Sequence, residues 1–160
     1  MANNKDNVST GKPKVGGAVF TAVTGSTLPT DATTALDAAF KSLGYCSEDG
    51  VTNSSGISTE NIKAWGGDIV DTPQTEKTDT FKVKLIECTN TDVLKTVYNG
   101  SNVSGDLDTG LTIKVNSAEH EDQAFVFDMI LKNNVLKRVV VPFGKVTEIS
   151  DITYKDNEPI

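Results

Sequence analysis

Short runs of alternating apolar and polar residues recur along most of the chain. In residues 123–131, for example, Phe125, Phe127, Met129 and Leu131 share one face, as in a strand that buries that face. Comparable runs predict strands at residues 15–25, 57–70, 80–88, 111–116, 135–141 and 146–153, with turns at 132–135 and 142–145. Seven or eight short strands separated by turns are typical of an antiparallel β-sandwich or barrel, so the predicted fold class is mainly β.

Two short segments have helical spacing instead. The first has four apolar residues at i, i+3, i+4 and i+7: Leu36, Ala39, Phe40 and Leu43. Thr33 or Thr34 is a candidate N-cap, and Gly44 follows the last apolar position, as at many helix C-termini. The second segment, NTDVLKTVYNG (residues 90–100), has apolar residues in similar spacing between a polar cap and a terminal glycine. We therefore expect one or two short flanking helices.

The predicted strand at residues 123–131 is apolar on both faces. Val126 and Ile130 lie on its second face around Asp128, and residues 139–141 are three consecutive valines. A sheet with one solvated face does not need these side chains. Either a partner subunit or a covering helix of the same chain would account for them. The candidate inter-subunit residues are Val126, Ile130, Val140 and Trp65, although Trp65 is first expected in the core.

Two polar segments lie outside this pattern. Residues 1–14 are predicted to form a flexible N-terminal arm, and residues 47–58 a protruding loop or an irregular hairpin arm. Residues 15–160 are expected to form a single domain, because a chain of this length can bury a sizeable core. Gly66 and Gly67 are interpreted as a β-bulge that redirects a strand.

The chain is acidic, with a net charge of −7 over 160 residues and a pI near 4.6. Arg138 is the single arginine and no basic cluster occurs, which argues against a conventional nucleic-acid binder. No apolar run is long enough for a membrane span and no secretory signal is recognisable, so a cytoplasmic site of synthesis and no membrane association are expected. Cys46 and Cys88 match no metal or redox spacing and are interpreted as free thiols, with a disulfide as the alternative.

Catalytic chemistry is not indicated. His120 lies in AEHEDQ, a solvated turn by its composition, and its spacing to neighbouring carboxylates is not that of a metal site. No serine or cysteine lies in a nucleophile turn, and the paired carboxylates lie in turn-like segments where water stabilises their charge. We therefore expect no enzymatic activity, no metal and no cofactor. A small hydrolase that uses His120 is a distant alternative.

Several separate sequence segments, in the order in which they occur along the chain, resemble those of one protein family. LGYCSEDG, KAWGGDIVD, DTFKVKLIEC followed by DVLKTVYN, and FGKVTEISDITYKDNEPI resemble the major tail (tail tube) proteins of long non-contractile-tailed bacteriophages. The resemblance covers most of the chain from about Lys14. It implies a β-sandwich subunit that forms stacked hexameric rings, through which DNA passes at infection. Family members usually continue past the last of these segments into another strand. Either that strand is absent here or the sequence is truncated before it, and a closing strand is then expected from elsewhere.

The resemblance also implies a location and partners. The location is the virion tail, assembled in the cytoplasm of the host bacterium. The partners are other copies of this chain together with the tape measure, tail tip and terminator proteins, whereas DNA crosses the lumen without specific binding. A negatively charged lumen wall repels phosphate within a Debye length of about 8 Å at physiological salt.

Candidate residues follow for the lumen and for stacking. The lumen-facing acidic candidates are Asp68, Asp71, Glu76, Asp79 and Asp128. The ring-stacking candidates are Ser47, Glu48, Asp49, Val51, Asn53 and Ile57. The alternative function is a non-tubular virion decoration module or adhesin-type β-sandwich, which would not polymerise alone.

Overall fold

The computed structural model describes residues 3–156, and these contain eleven strands and one α-helix. In chain order the elements are β1 (Lys12–Pro13), β2 (Val19–Val23), β3 (Lys41–Ser42), β4 (Cys46–Thr59), β5 (Ile62–Lys63), β6 (Ile69–Asp71), β7 (Gln74–Leu85), α1 (Thr91–Tyr98), β8 (Val103–Asp106), β9 (Gly110–Ile113), β10 (Gln123–Ile130) and β11 (Leu136–Gly144). The chain divides into two compact units. The first comprises Met1–Cys46 and Leu85–Ile160, and the second is Ser47–Lys84.

Strand β10 is the centre of the main sheet in the first unit. It pairs antiparallel with β11 on one side and with β2 on the other, and β3 extends the sheet beyond β2. Val126 lies opposite Phe20 of β2 and Val140 of β11. A tight turn at Lys132–Asn134, where Asn133 and Asn134 have positive φ, connects β10 to β11.

The described part of the predicted N-terminal arm contacts this sheet. Strand β1 pairs with the end of β10, and the Lys132 N–H donates to the Ser9 hydroxyl at 2.7 Å. Residues 14–17 lie between β1 and β2 and bulge outward opposite Asp128, whose N–H donates to the Ala18 carbonyl at 2.8 Å. Residues 1 and 2 lie outside the described residues.

The second apolar face of β10 is covered by residues 28–40 of the same chain. The first predicted helix is wrong, because this segment is a series of turns. The Asp31 carboxylate accepts the N–H groups of Thr33 and Thr34, and the Asp37 carboxylate accepts that of Ala39. Such bonds compete with helix formation. The apolar residues of the predicted stripe still pack inward: Phe40 and Leu43 are buried, and Leu36 and Ala39 are half-buried.

The second unit is a long two-stranded β-ribbon, which we call the ribbon. Strands β4 and β7 pair along it, and the Glu60 N–H donates to the Pro73 carbonyl at 3.1 Å near its far end. Strands β5 and β6 form a small hairpin between them. Residues 64–68 close that hairpin, where Gly66 and Gly67 both have positive φ. The two glycines therefore form a turn and not the predicted bulge.

The prediction of a mainly β, antiparallel fold with a short helix is confirmed, and α1 lies within the second predicted helix. The sheets in residues 3–156 do not close into a barrel. Three further local predictions are wrong. Residues 57–70 are not one strand but contain the end of β4 and most of the β5–β6 hairpin. The predicted turn at residues 142–145 is mostly part of β11, and residues 146–153 form no strand. Cys46 and Cys88 are free thiols, as the first interpretation held, and burial together with Glu87 raises the pKa of Cys46.

Candidate assembly interface

The ribbon exposes nearly all of its side chains. Every residue from 52 to 80 is exposed. A two-stranded ribbon has no second layer to pack against, and an isolated pair of strands is marginally stable in water. Its long alternating strands therefore leave surface that a neighbouring molecule can bury.

Large apolar side chains are concentrated at the far end of the ribbon. We define this tip cluster as Ile62, Trp65, Ile69 and Val70. Trp65 is fully exposed at 106% of its reference area, so the prediction that it lies in the core is wrong. It occupies the turn between β5 and β6, where the Gly67 N–H donates to the Ala64 carbonyl at 3.0 Å. The second interpretation of Trp65, as an interface anchor, stays a prediction.

The six ring-stacking candidates all lie on β4. The segment predicted as a protruding loop is therefore one strand of the ribbon, in keeping with the alternative of a hairpin arm. Val51 is half-buried and Ile57 is exposed, and alternation places both on the same face of β4. The Ser47 hydroxyl donates to Asp49 at 3.0 Å, a local bond that turns both side chains to one another.

Four of the five lumen candidates lie on the ribbon and are exposed. Asp68 is in the turn, Asp71 ends β6, and Glu76 and Asp79 lie on β7. Glu76 and Asp79 are three residues apart in a strand and therefore point to opposite faces. Hydrogen bonds from Ser55 and Lys77 hold the pKa of Asp79 below its usual value.

Asp128, the fifth lumen candidate, is buried in the first unit. Its side chain is 4% exposed and is paired with Arg138, which lies opposite it on β11. Lys14 approaches from the bulge at 3.5 Å. Burial alone would raise the pKa of Asp128, but the hydrogen bonds and charge of Arg138, with Lys14 in support, hold that pKa below its usual value. The prediction that Asp128 faces the lumen is therefore wrong.

The inter-subunit candidates on the main sheet are also largely covered. Val126 is completely buried, and Val140 packs against the same core cluster. The interpretation that a neighbour covers this face is wrong for Val126, because residues 28–40 supply the cover. Ile130, at the end of β10, remains half-buried.

A carboxylate that sequence reasoning missed fixes the point where the chain enters and leaves the ribbon. Glu87 Oε1 accepts the Tyr45 N–H at 2.8 Å, and Glu87 Oε2 accepts the Asn90 side-chain amide at 3.1 Å. The Ile86 N–H also donates to the Tyr45 carbonyl at 3.1 Å. Gly44 makes room for this arrangement, since a Cβ there would overlap the Glu87 carboxylate. We call these contacts the ribbon base.

The histidine of the chain and an open pocket both lie in the first unit. His120 lies half-buried in the irregular segment between β9 and β10. An open pocket of about 210 Å³ lies over Asp128 and Arg138, but Arg138 bonds both oxygens of that carboxylate. Within residues 3–156, the eight residues of α1 are too few for a membrane-spanning helix. Nor do three or more His, Cys, Asp or Glu side chains converge there as a metal site.

Comparison with known families adds one finding. A family model described as phage tail tube protein matches residues 1–159. No curated protein and no solved structure matches significantly. The match spans both compact units and agrees with the resemblance carried by the separated sequence phrases. The chain therefore belongs to the phage tail tube protein family and is a structural component of a virion tail.

Proposed function

We propose that this chain assembles into hexameric rings that stack into the tail tube of a long-tailed, non-contractile phage, and that DNA crosses the tube during ejection. The role is structural and involves no catalysis. The subunits assemble in the cytoplasm of the host bacterium. Besides other copies of this chain, the partners are the tape measure, tail tip and terminator proteins.

The observation that carries this proposal is the exposed ribbon with its apolar tip. An exposed tryptophan in the same hairpin as exposed isoleucine and valine side chains is costly in a free subunit, because each large apolar side chain gains about 1.5–3 kcal/mol on full burial. Aromatic anchors of this kind dominate the binding energy of protein interfaces. Family membership supplies the partner, a second copy of the chain.

The ribbon is proposed to contact the next ring of the stack. Subunits within a ring meet through head-to-tail contacts that close, whereas contacts between rings continue along the axis. The stacking candidates on β4 and the tip cluster lie on the same unit, so one element supplies both polar and apolar contacts. Its acidic side chains are proposed to line the lumen. Because Glu76 and Asp79 lie on opposite faces of β7, the lumen receives one of these two together with Asp68 and Asp71.

Negative-stain microscopy across a concentration series tests the proposal. Purified chain at high concentration, or in the presence of a tail tip complex, should form hollow tubes with a regular axial repeat. A Trp65→Ala variant should remain folded and form few tubes, whereas a Thr109→Ala variant, altered in an exposed turn, should assemble normally. A wild-type chain that remains monomeric under all these conditions would contradict the proposal.

A further inference from the structure

We propose that residues 146–154, which have no regular structure in the free subunit, become a β-strand on the open edge of β11 in a second copy of this chain. The inference rests on the proposed tube function, because it requires neighbouring copies. We call residues 146–154 the donor segment and Leu136 to Val141 of β11 the acceptor edge.

The composition of the donor segment favours a strand. Five of its nine residues are β-branched: Val146, Thr147, Ile149, Ile152 and Thr153. Such residues fit the pleated, half-buried surface of a sheet. In the free subunit the segment is nevertheless unpaired, and Ile149, Ile152 and Tyr154 are exposed. The residue types of the donor segment therefore favour a strand that the free subunit does not contain. Pairing with a strand of another copy would satisfy that preference.

Pairing of the donor segment with β11 of its own chain is blocked by the length of that strand. Strand β11 continues to Gly144, which lies opposite Gln123 of β10. Lys145 alone then separates the strand from the donor segment. A β-hairpin needs a connection of at least two residues, so the segment cannot fold back onto its own β11 without dismantling the end of that strand.

The acceptor edge has the properties of a surface for strand addition. Strand β11 pairs with β10 on one side, and among residues 3–156 no strand pairs with its other side. An open strand edge is a template for pairing with another chain. Pro142 has no N–H to donate, which limits the usable edge to the residues before it. The exposed Lys137 on this edge also complements one of two donor-segment carboxylates, Glu148 or Asp151, which point to opposite faces of a strand.

Weak contacts hold the donor segment in the free subunit. The Tyr154 hydroxyl is hydrogen-bonded to that of Tyr98 on α1. At the start of the segment, Lys145 pairs with Glu119 at 3.1 Å, and both side chains are exposed. Exposed ion pairs of this kind contribute little stability, so release of the donor segment toward a neighbouring subunit costs little free energy.

Hydrogen exchange of free subunits and of tubes tests the inference. The backbone amides of the donor segment should exchange rapidly in the subunit and roughly 100-fold more slowly in tubes, as expected for amides that enter a hydrogen-bonded strand. Tubes in which these amides still exchange rapidly would overturn the inference and leave the proposed function standing. A wild-type chain that forms no tubes would overturn both.

Disulfide cross-linking identifies the acceptor. In a chain with Cys46→Ala and Cys88→Ala, the substitutions Lys137→Cys and Ser150→Cys place one thiol on each proposed partner. Oxidation of tubes should yield a ladder of covalent multimers. The matched control pairs Ser150→Cys with Thr109→Cys and should yield none. A purely intramolecular product, or no cross-link in well-formed tubes, would overturn the assignment to β11.

A proline substitution separates strand formation from folding of the subunit. Ile149→Pro removes an N–H from the donor segment, and Ile149→Thr preserves the β-branched shape. The proline variant should unfold at the same temperature as the wild type but nucleate tubes at least tenfold more slowly, and the threonine variant should assemble close to normally. Normal assembly of Ile149→Pro would overturn the inference.

Discussion

Arg138 and Asp128 form a two-point ion pair between adjacent strands of the main sheet. Arg138 Nε donates to Asp128 Oδ1 at 2.6 Å and Nη2 donates to Oδ2 at 2.8 Å, and neither side chain is more than 4% exposed. The remaining nitrogen, Nη1, donates to the carbonyls of Asp31 and Thr34 at 2.8 and 2.9 Å. The pair therefore also attaches residues 28–40, which we call the covering segment, to β11. This planar, forked geometry is specific to arginine.

Removal of the carboxylate should strongly destabilise the subunit. Asp128→Ala leaves the Arg138 charge buried and without its main partner, and breaking a buried pair costs about 3–5 kcal/mol. Urea denaturation of the purified subunit measures the loss in the free energy of unfolding. Asp108→Ala, a matched change in an exposed turn, should alter that energy by no more than about 0.5 kcal/mol. A loss below about 1 kcal/mol for Asp128→Ala would show that the pair contributes little.

The same pair should make the subunit less stable in acid. The folded-state pKa of Asp128 is lower than its unfolded value, so the unfolded chain binds more protons as pH falls and stability decreases with it. The stabilisation of the folded state by ionised Asp128 is fully present above the pKa of this carboxyl in the unfolded chain, about 3.9. It is lost as pH falls through the lower pKa of the folded state. The difference in the free energy of unfolding between wild type and Asp128→Asn should therefore narrow below about pH 4. A difference that is constant from pH 7 to pH 3 would contradict this assignment.

The main sheet could be predicted from sequence because its signals are local. Alternation located β10 and β11 to within a few residues, and the asparagine-rich turn located their connection. The partner of Asp128 was also present in the sequence. A turn centred on residue 133 places residue 128 opposite residue 138, and residue 138 is the only arginine of the chain. The strand register therefore indicates the partner of Asp128, whereas its negative charge alone suggested a place in the lumen.

The covering segment and the ribbon could not be predicted in the same way. Helical spacing at residues 36–43 identified side chains that pack inward, but Asp31 and Asp37 fix turns through bonds to the backbone. Exposure of Trp65 has no local signature, because the same residue type more often fills a core. The ribbon base depends on Glu87 and Gly44, which are distant in sequence. Contacts between residues so far apart in sequence have no local sequence pattern that predicts them.

Substitution of Gly44 should disturb the ribbon base. Gly44 has a φ of +71°, and a side chain there would also overlap the Glu87 carboxylate. The left-handed backbone alone costs about 1–2 kcal/mol for a residue with a Cβ. Gly25→Ala, at a φ of +87° with open space around it, provides the matched control for that backbone term. Gly44→Ala should therefore lower the free energy of unfolding by more than Gly25→Ala does, and equal losses would mean that Glu87 adapts freely.

The single tryptophan reports directly on assembly. Trp65 is fully exposed in the subunit, so its fluorescence should be strongly quenched by acrylamide. In tubes the emission should shift to shorter wavelength and quenching should fall several-fold, because an interface anchor is removed from water. Tubes in which Trp65 remains fully open to acrylamide would place the tip cluster outside the interface.

Loss of that anchor should weaken assembly and leave folding intact. Trp65→Ala should change the free energy of unfolding by less than about 0.5 kcal/mol, as for other exposed positions. The critical concentration for tube formation should rise at least tenfold, since a truncated aromatic hot spot costs about 2 kcal/mol or more. Sedimentation of tubes at several protein concentrations measures it, and Tyr45→Ala, at another exposed aromatic residue, serves as the comparison.

Charge reversal on the ribbon tests whether its carboxylates face the DNA. Asp68→Lys with Asp71→Lys should leave tubes intact, because both side chains are exposed and, among residues 3–156, the Asp71 carboxylate accepts a hydrogen bond only from the N–H of its neighbour Thr72. A positive wall would bind phosphate and release counterions, so ejection should slow and the delay should shrink as salt is raised. Asp108→Lys with Glu121→Lys makes the same change in net charge at exposed positions of the first unit. An equal delay in both variants would attribute the effect to overall charge, and unchanged ejection in the ribbon variant would remove Asp68 and Asp71 from the lumen.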